Sequence, residues 1–164
     1  MKKNWWRWAL VLLWFVVISL FSSQTREESG RLSGGITVWI VEHITPNWKS
    51  LEEIVKENLL QTWRFIIRKG AHMAEFAVLG MLLFNAWAGV RRRALSRCAL
   101  LSMMCSFLGA VLDEAHQAFV PERGPLLSDV FIDFAGAVLG ILFVWLVVWI
   151  FQKYRKRKET HAFS

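Results

Sequence analysis

Two stretches of this 164-residue chain set ionisable side chains at helical spacing within otherwise apolar sequence. The first carries Arg68, Lys69, His72 and Glu75. The second carries Asp113, Glu114, His116 and Gln117, followed after a short loop containing Arg123 by Asp129 and Asp133. His72 with Glu75, and Asp113 with His116, are each spaced i, i+3, so each pair shares a helix face. Together they offer two imidazoles and two carboxylates, a donor set that suits zinc, manganese or iron. Neither half matches a zinc signature such as His-Glu-x-x-His, so a divalent metal is one option among several. Proton transfer is another, with His116 or Glu114 as carrier and Arg68 or Arg123 holding a phosphate. Candidates for catalysis are therefore His72, Glu75, Asp113, Glu114 and His116. Candidates for ligand binding are Arg68, Lys69, Gln117, Arg123, Asp129 and Asp133.

The charges in this set do not balance. Arg68, Lys69 and Arg123 are fixed cations, whereas Glu75, Asp113, Glu114, Asp129 and Asp133 are potential anions. Near a membrane such an excess of carboxylates must be relieved by protonation, charged histidine, water, a metal or a cationic ligand. The plainest alternative is a satisfied network of ion pairs and hydrogen bonds that pins helices together without acting on anything.

The elements that must position these residues follow from composition. Apolar residues make up 55% of the chain and charged residues only 20%, and the charges fall in blocks between long apolar runs. This excludes a disordered chain, a coiled coil and a soluble enzyme, and leaves a small polytopic membrane protein. Runs at 5–23, 62–90, 94–117 and 130–151 are each long enough to cross a bilayer, which predicts an all-α bundle of four transmembrane helices in one domain, 1–164. The first run resembles a signal peptide in its basic start, but no Ala-x-Ala site follows it, so it is expected to remain as an anchor. The net charge of +7 does not indicate nucleic acid, because the basic residues flank the apolar runs. Twelve of the 20 basic residues, those at 2, 3, 7, 91–93, 97, 153 and 155–158, fall on one side of a four-span topology with a single acid, Glu159. The positive-inside rule then puts both termini in the cytoplasm and residues 24–61 outside.

The spans align the polar set. Arg64, Arg68, His72 and Glu75 form one stripe on the second run, Ser106, Gly109, Asp113 and Gln117 on the third, and Asp129, Asp133, Gly136 and Gly140 on the fourth. Glu114 points roughly 100° from Asp113 and is expected to face the loop. That loop holds Pro121, Gly124 and Pro125, which forbid a continuous helix, and Ser128 is the expected cap of the fourth helix. In segment 24–61, Thr45-Pro46 predicts a helix start, followed by an amphipathic helix through Leu51, Ile54, Val55, Leu59 and Trp63. Cys98 and Cys105 are read as packing residues, the Trp residues near span ends as interfacial anchors, and Gly80, Gly136 and Gly140 as sites of close helix approach.

The stretch RKGAHMAEFAVLG at 68–80, with DEAHQAFVPERGPLLSDVFIDFAG at 113–136, resembles the VanZ-like family of bacterial membrane proteins. Arg68, Lys69, His72, Glu75, Asp113, Glu114, His116, Gln117, Pro121, Arg123, Asp129, Asp133 and Gly136 match its pattern in order. The family takes its name from a protein associated with resistance to the glycopeptide teicoplanin. The resemblance thus implies an envelope role in the bacterial cytoplasmic membrane, lowering sensitivity to glycopeptide or related lipophilic antibiotics, without implying a particular reaction. Two readings follow from the polar set. The basic residues would clamp an anionic lipid, a lipid-linked wall precursor or a lipoglycopeptide, or the set would act as a metal- or acid/base-dependent hydrolase or transferase on a lipid headgroup. A transport path would need polar residues at mid-depth, where the runs offer little beyond Asn85, Ser102 and Ser106.

Overall fold

Apolar runs of 18 residues or more can satisfy their backbone in lipid only as helices, and helices are what they form. The computed structural model describes residues 4–90, 94–121 and 124–161. Arg123 and the basic residues Lys2, Lys3, Arg91, Arg92 and Arg93 lie outside that set. The helices are α1 (Trp5–Ser22), α2 (Arg26–Ile44), α3 (Glu53–Ala88), α4 (Leu95–Gln117) and α5 (Leu127–His161), with a 3₁₀ turn at Trp48–Ser50. Four of them, α1, α3, α4 and α5, are long and apolar enough to cross a membrane.

Segment 24–61 differs from the sequence expectation in where its helices begin. Thr45 and Pro46 mark the end of α2 rather than the start of a helix. The Thr45 amide still donates to Val41 O at 3.0 Å, while Pro46 has no N–H to continue the ladder and disfavours helical geometry at the residue before it. Asn47 then adopts a left-handed conformation, φ 56°, and Glu52 is extended before α3 begins at Glu53. The amphipathic stretch is helical only from Glu53 onward, with Leu51 extended before it, and from there it runs without a break into the second span. At 36 residues α3 is about 54 Å long, well beyond the ~30 Å hydrocarbon core. The polar, Gly-containing stretch before Thr45 also forms a helix, α2, which packs on α3. Thr37 and Val41, four residues apart, are fully buried.

Helices α3 and α5 form the most extensive contact in the bundle. A Cβ added at Gly136 would strike the Met73 carbonyl, one at Gly140 the Ala77 carbonyl, and one at Gly80 the Ala137 carbonyl. Small residues at these points let the two backbones touch, as the sequence spacing suggested. One core joins Val11 and Ile18 of α1, Phe76, Leu79 and Leu83 of α3, Ala110 of α4 and Ala137 of α5. A second gathers Phe84, Cys98 and Ile141, and no disulfide joins Cys98 to Cys105.

Polar contacts fix which ends of the helices meet. Asn4 Nδ2 donates to Gly89 O at 2.7 Å and Arg7 Nη1 to Asn85 O at 2.8 Å, so the start of α1 lies beside the end of α3. There the Arg7 cation adds a second donor to the Asn85 carbonyl, which also accepts the Gly89 amide, and it sits at the negative end of the helix dipole. At the opposite end of α1, Ser22 Oγ donates to Asp113 Oδ2 of α4 at 2.8 Å. The end of α4, the start of α5 and the middle of α3 therefore converge at one end of the bundle, with the end of α1 beside them.

Candidate functional site

The stripes read from the sequence meet at this end. From α3 come Arg68, Lys69, His72 and Glu75, all half-buried. From α4 come Asp113, Glu114 and Gln117, all buried, and from α5 come half-buried Asp129 and buried Asp133. Arg68, Lys69, His72, Gln117 and Asp129 line one pocket with Phe65, Gly124 and Leu126, and its volume is about 40 Å³. That is space for a few waters or the oxygens of one small anionic group.

Each wall of the pocket has its own fastening. Lys69 Nζ pairs with Asp129 across the α3–α5 contact, with both side chains 16% exposed. The Lys69 ammonium lies 5.2 Å from the centre of the Phe65 ring and the Arg68 guanidinium 5.9 Å from it, which holds both cations beside the same aromatic ring. Glu114 faces the loop, as the 100° rotation from Asp113 predicts. Its Oε1 accepts the Leu126 backbone N–H, a donor at the mouth of α5 that has no partner within the helix. Ser128 is not the cap of α5. The Leu126 carbonyl already accepts from the Asp129 amide at 2.8 Å, so Ser128 lies within the first turn and donates to Asp129 Oδ1 at 3.2 Å.

Asp113 is the hub between α1 and α4. Its Oδ2 accepts from Ser22 Oγ at 2.8 Å and from Gln117 Nε2 at 2.9 Å. Its Oδ1 is buried without a hydrogen-bond partner among the described residues. His116, three residues on, turns away from this centre and is exposed. Its Nε2 lies 2.9 Å from Ser23 Oγ. His72 Nδ1 lies 3.5 Å from Glu75 Oε2 on its own helix. Of the four residues that sequence spacing groups as metal ligands, the structure brings His72 and Asp113 together and adds Asp133. Ligand atoms of these three all lie within 4.8 Å of one another. Arg123 lies outside the described residues.

Sequence spacing did not single out Ser22 or Ser23. They end an apolar run and carry no periodic signal, and their role depends on α1 docking against the end of α4. Two adjacent hydroxyls closing a hydrophobic span were the one available hint.

A family model described as VanZ/LLP1 matches residues 7–151, which takes in all four long apolar helices and every element of the polar site. No curated protein and no solved structure matches the chain. The match extends over most of the sequence, and with the apolar four-span bundle it means that this chain is a membrane protein of the VanZ/LLP1 family.

Proposed function

We propose that this protein lowers sensitivity to teicoplanin-type glycopeptides or related lipophilic antibiotics by holding the anionic headgroup of a surface lipid or lipid-linked wall precursor in its polar pocket. The family's link to teicoplanin resistance supports the physiological side of this reading. The observation that carries the molecular side is the pocket itself, where Arg68 and Lys69 of α3 stand with Gln117 of α4 and Asp129 of α5 around a space of about 40 Å³. Guanidinium and ammonium groups beside a small polar recess recognise phosphate or carboxylate oxygens. Phe119, Leu127 and Phe131, near the same end of the bundle, are exposed at 87%, 74% and 58%, a surface suited to acyl or prenyl chains attached to such a headgroup. The excess of basic residues in the sequence segments on the opposite side of a four-span topology supports an orientation with the pocket outside and both termini in the cytoplasm.

The test is expression in a teicoplanin-sensitive bacterial host together with lipid analysis of the purified protein. The wild-type chain should raise the inhibitory concentration of teicoplanin and retain phosphatidylglycerol in preference to phosphatidylcholine after exchange into mixed nanodiscs. Arg68→Ala should lose both effects. Wild-type protein that leaves the inhibitory concentration unchanged and shows no preference between the two lipids would overturn the proposal. Release of a labelled headgroup during the incubation would replace binding with hydrolysis as the activity.

A further inference from the structure

Behind the cationic pocket lies a second cluster, formed by His72 of α3, Asp113 of α4 and Asp133 of α5. His72 reaches the pocket wall, whereas both aspartates are only 2% exposed and neither lines the pocket. Two carboxylates this deep in a membrane-embedded bundle require a compensating positive charge or bound protons. Lys69, one of the cations on the facing stretch of α3, is already paired with Asp129. Asp113 shows the same shortage at the level of single atoms. Ser22 and Gln117 both donate to Oδ2, and Oδ1 is buried with no hydrogen-bond partner among the described residues.

We propose that His72, Asp113 and Asp133 bind one divalent transition-metal ion, Zn²⁺ or Mn²⁺. Ligand atoms of the three residues lie within 4.8 Å of one another. A central point is then no more than about 2.8 Å from each of them, so movements of under about 1 Å bring all three to coordination distance. One imidazole and two carboxylates form a mixed nitrogen and oxygen set that suits these ions better than a thiol-seeking or purely oxygen-seeking metal. Glu75 supports the site from behind. Its Oε2 lies 3.5 Å from His72 Nδ1, so a small movement on metal binding would complete the carboxylate–imidazole–metal order common to such centres, with Nε2 as the metal donor. His72 also lines the pocket, which puts the proposed ion next to the recess, from which water or an anionic oxygen could complete its coordination. This site does not depend on the antibiotic reading, because it rests on three side chains and an unpartnered oxygen rather than on a ligand in the pocket.

The experiment uses full-length protein purified in detergent, stripped with chelator and re-equilibrated with Zn²⁺, Mn²⁺ or, as a spectroscopic probe, Co²⁺. Wild-type protein should hold about one equivalent per chain, and Co²⁺ should give visible ligand-field bands that Zn²⁺ displaces. His72→Ala and Asp133→Asn should weaken binding by roughly tenfold or more. His116→Ala, which alters a residue turned toward Ser23, should bind as wild type does. No stoichiometric metal and no Co²⁺ bands in the unmodified protein would overturn the proposal, and that outcome does not depend on whether any variant folds. Equal binding by wild type, His72→Ala and Asp133→Asn would also overturn it, as would loss of binding in His116→Ala alone.

Discussion

Asp113 shows how one residue can tie the site to the fold. Its Oδ2 joins α4 to α1 through Ser22 and to the next turn of its own helix through Gln117. Removing the Ser22 hydroxyl leaves a buried carboxylate oxygen with one donor fewer. Ser22→Ala should therefore cost about 1–2 kcal/mol of stability, read as a lower midpoint in detergent unfolding, and a midpoint equal to that of wild type would show that the bond contributes nothing. The acidic, basic and imidazole members of the site could be read from the sequence because helical spacing places them on common stripes. The serines could not, because a hydroxyl at the end of an apolar run acquires a partner only when another helix arrives. His116 shows the same limit from the other direction. Spacing puts it on Asp113's side of the helix, yet the docking of α1 offers it Ser23, 2.9 Å away.

At the scale of elements, the α3–α5 contact holds the site together. It brings Lys69 to Asp129 and His72 to Asp133, and it exists because glycines at 136, 140 and 80 let backbone meet backbone. A larger side chain there must push the helices apart. Gly140→Leu should lower stability by roughly 1–3 kcal/mol or prevent folding. Gly70→Ala, on the same α3 but with nothing within 4 Å of the added methyl, should be neutral or raise stability by up to about 1 kcal/mol through helix propensity. Comparing the two thermal midpoints checks the argument. Equal midpoints would mean that the close approach is not what the glycines provide. The glycine stripe was readable from its four-residue spacing, whereas the reach of α3 was not. Pro46 marks a break in the chain, and pattern alone does not say whether a break closes one helix or opens the next. The Val41–Thr45 bond and the left-handed Asn47 show that it closes α2.

At the scale of the whole molecule, an even number of spans puts both ends of the chain on one side, and twelve of the 20 basic residues fall in the sequence segments assigned to that side. The proposed orientation predicts that a membrane-impermeant thiol reagent, applied to intact cells carrying a chain with Cys98 and Cys105 replaced by serine, labels Ser50→Cys and not Ser96→Cys. Both positions are exposed, and they lie in the segment before α3 and at the start of α4. The reverse labelling pattern would place the polar pocket on the cytoplasmic side and remove a surface lipid or wall precursor as its ligand.

The sequence alone determined that this chain is a helical membrane bundle and which of its ionisable side chains share a helix face. Hydrophobic length, charge blocks and helical period are properties of the chain itself and act before any helix meets another. Only the tertiary structure decided which members of that set touch. The choice of His72, Asp113 and Asp133 over His116, the anchoring of Asp113 by Ser22, and the seating of Leu126 on Glu114 all depend on helix rotation and depth. Those are set by interhelical packing, above all by backbone contact at the glycines of α3 and α5, and no period within a single helix encodes the angle at which its neighbour arrives.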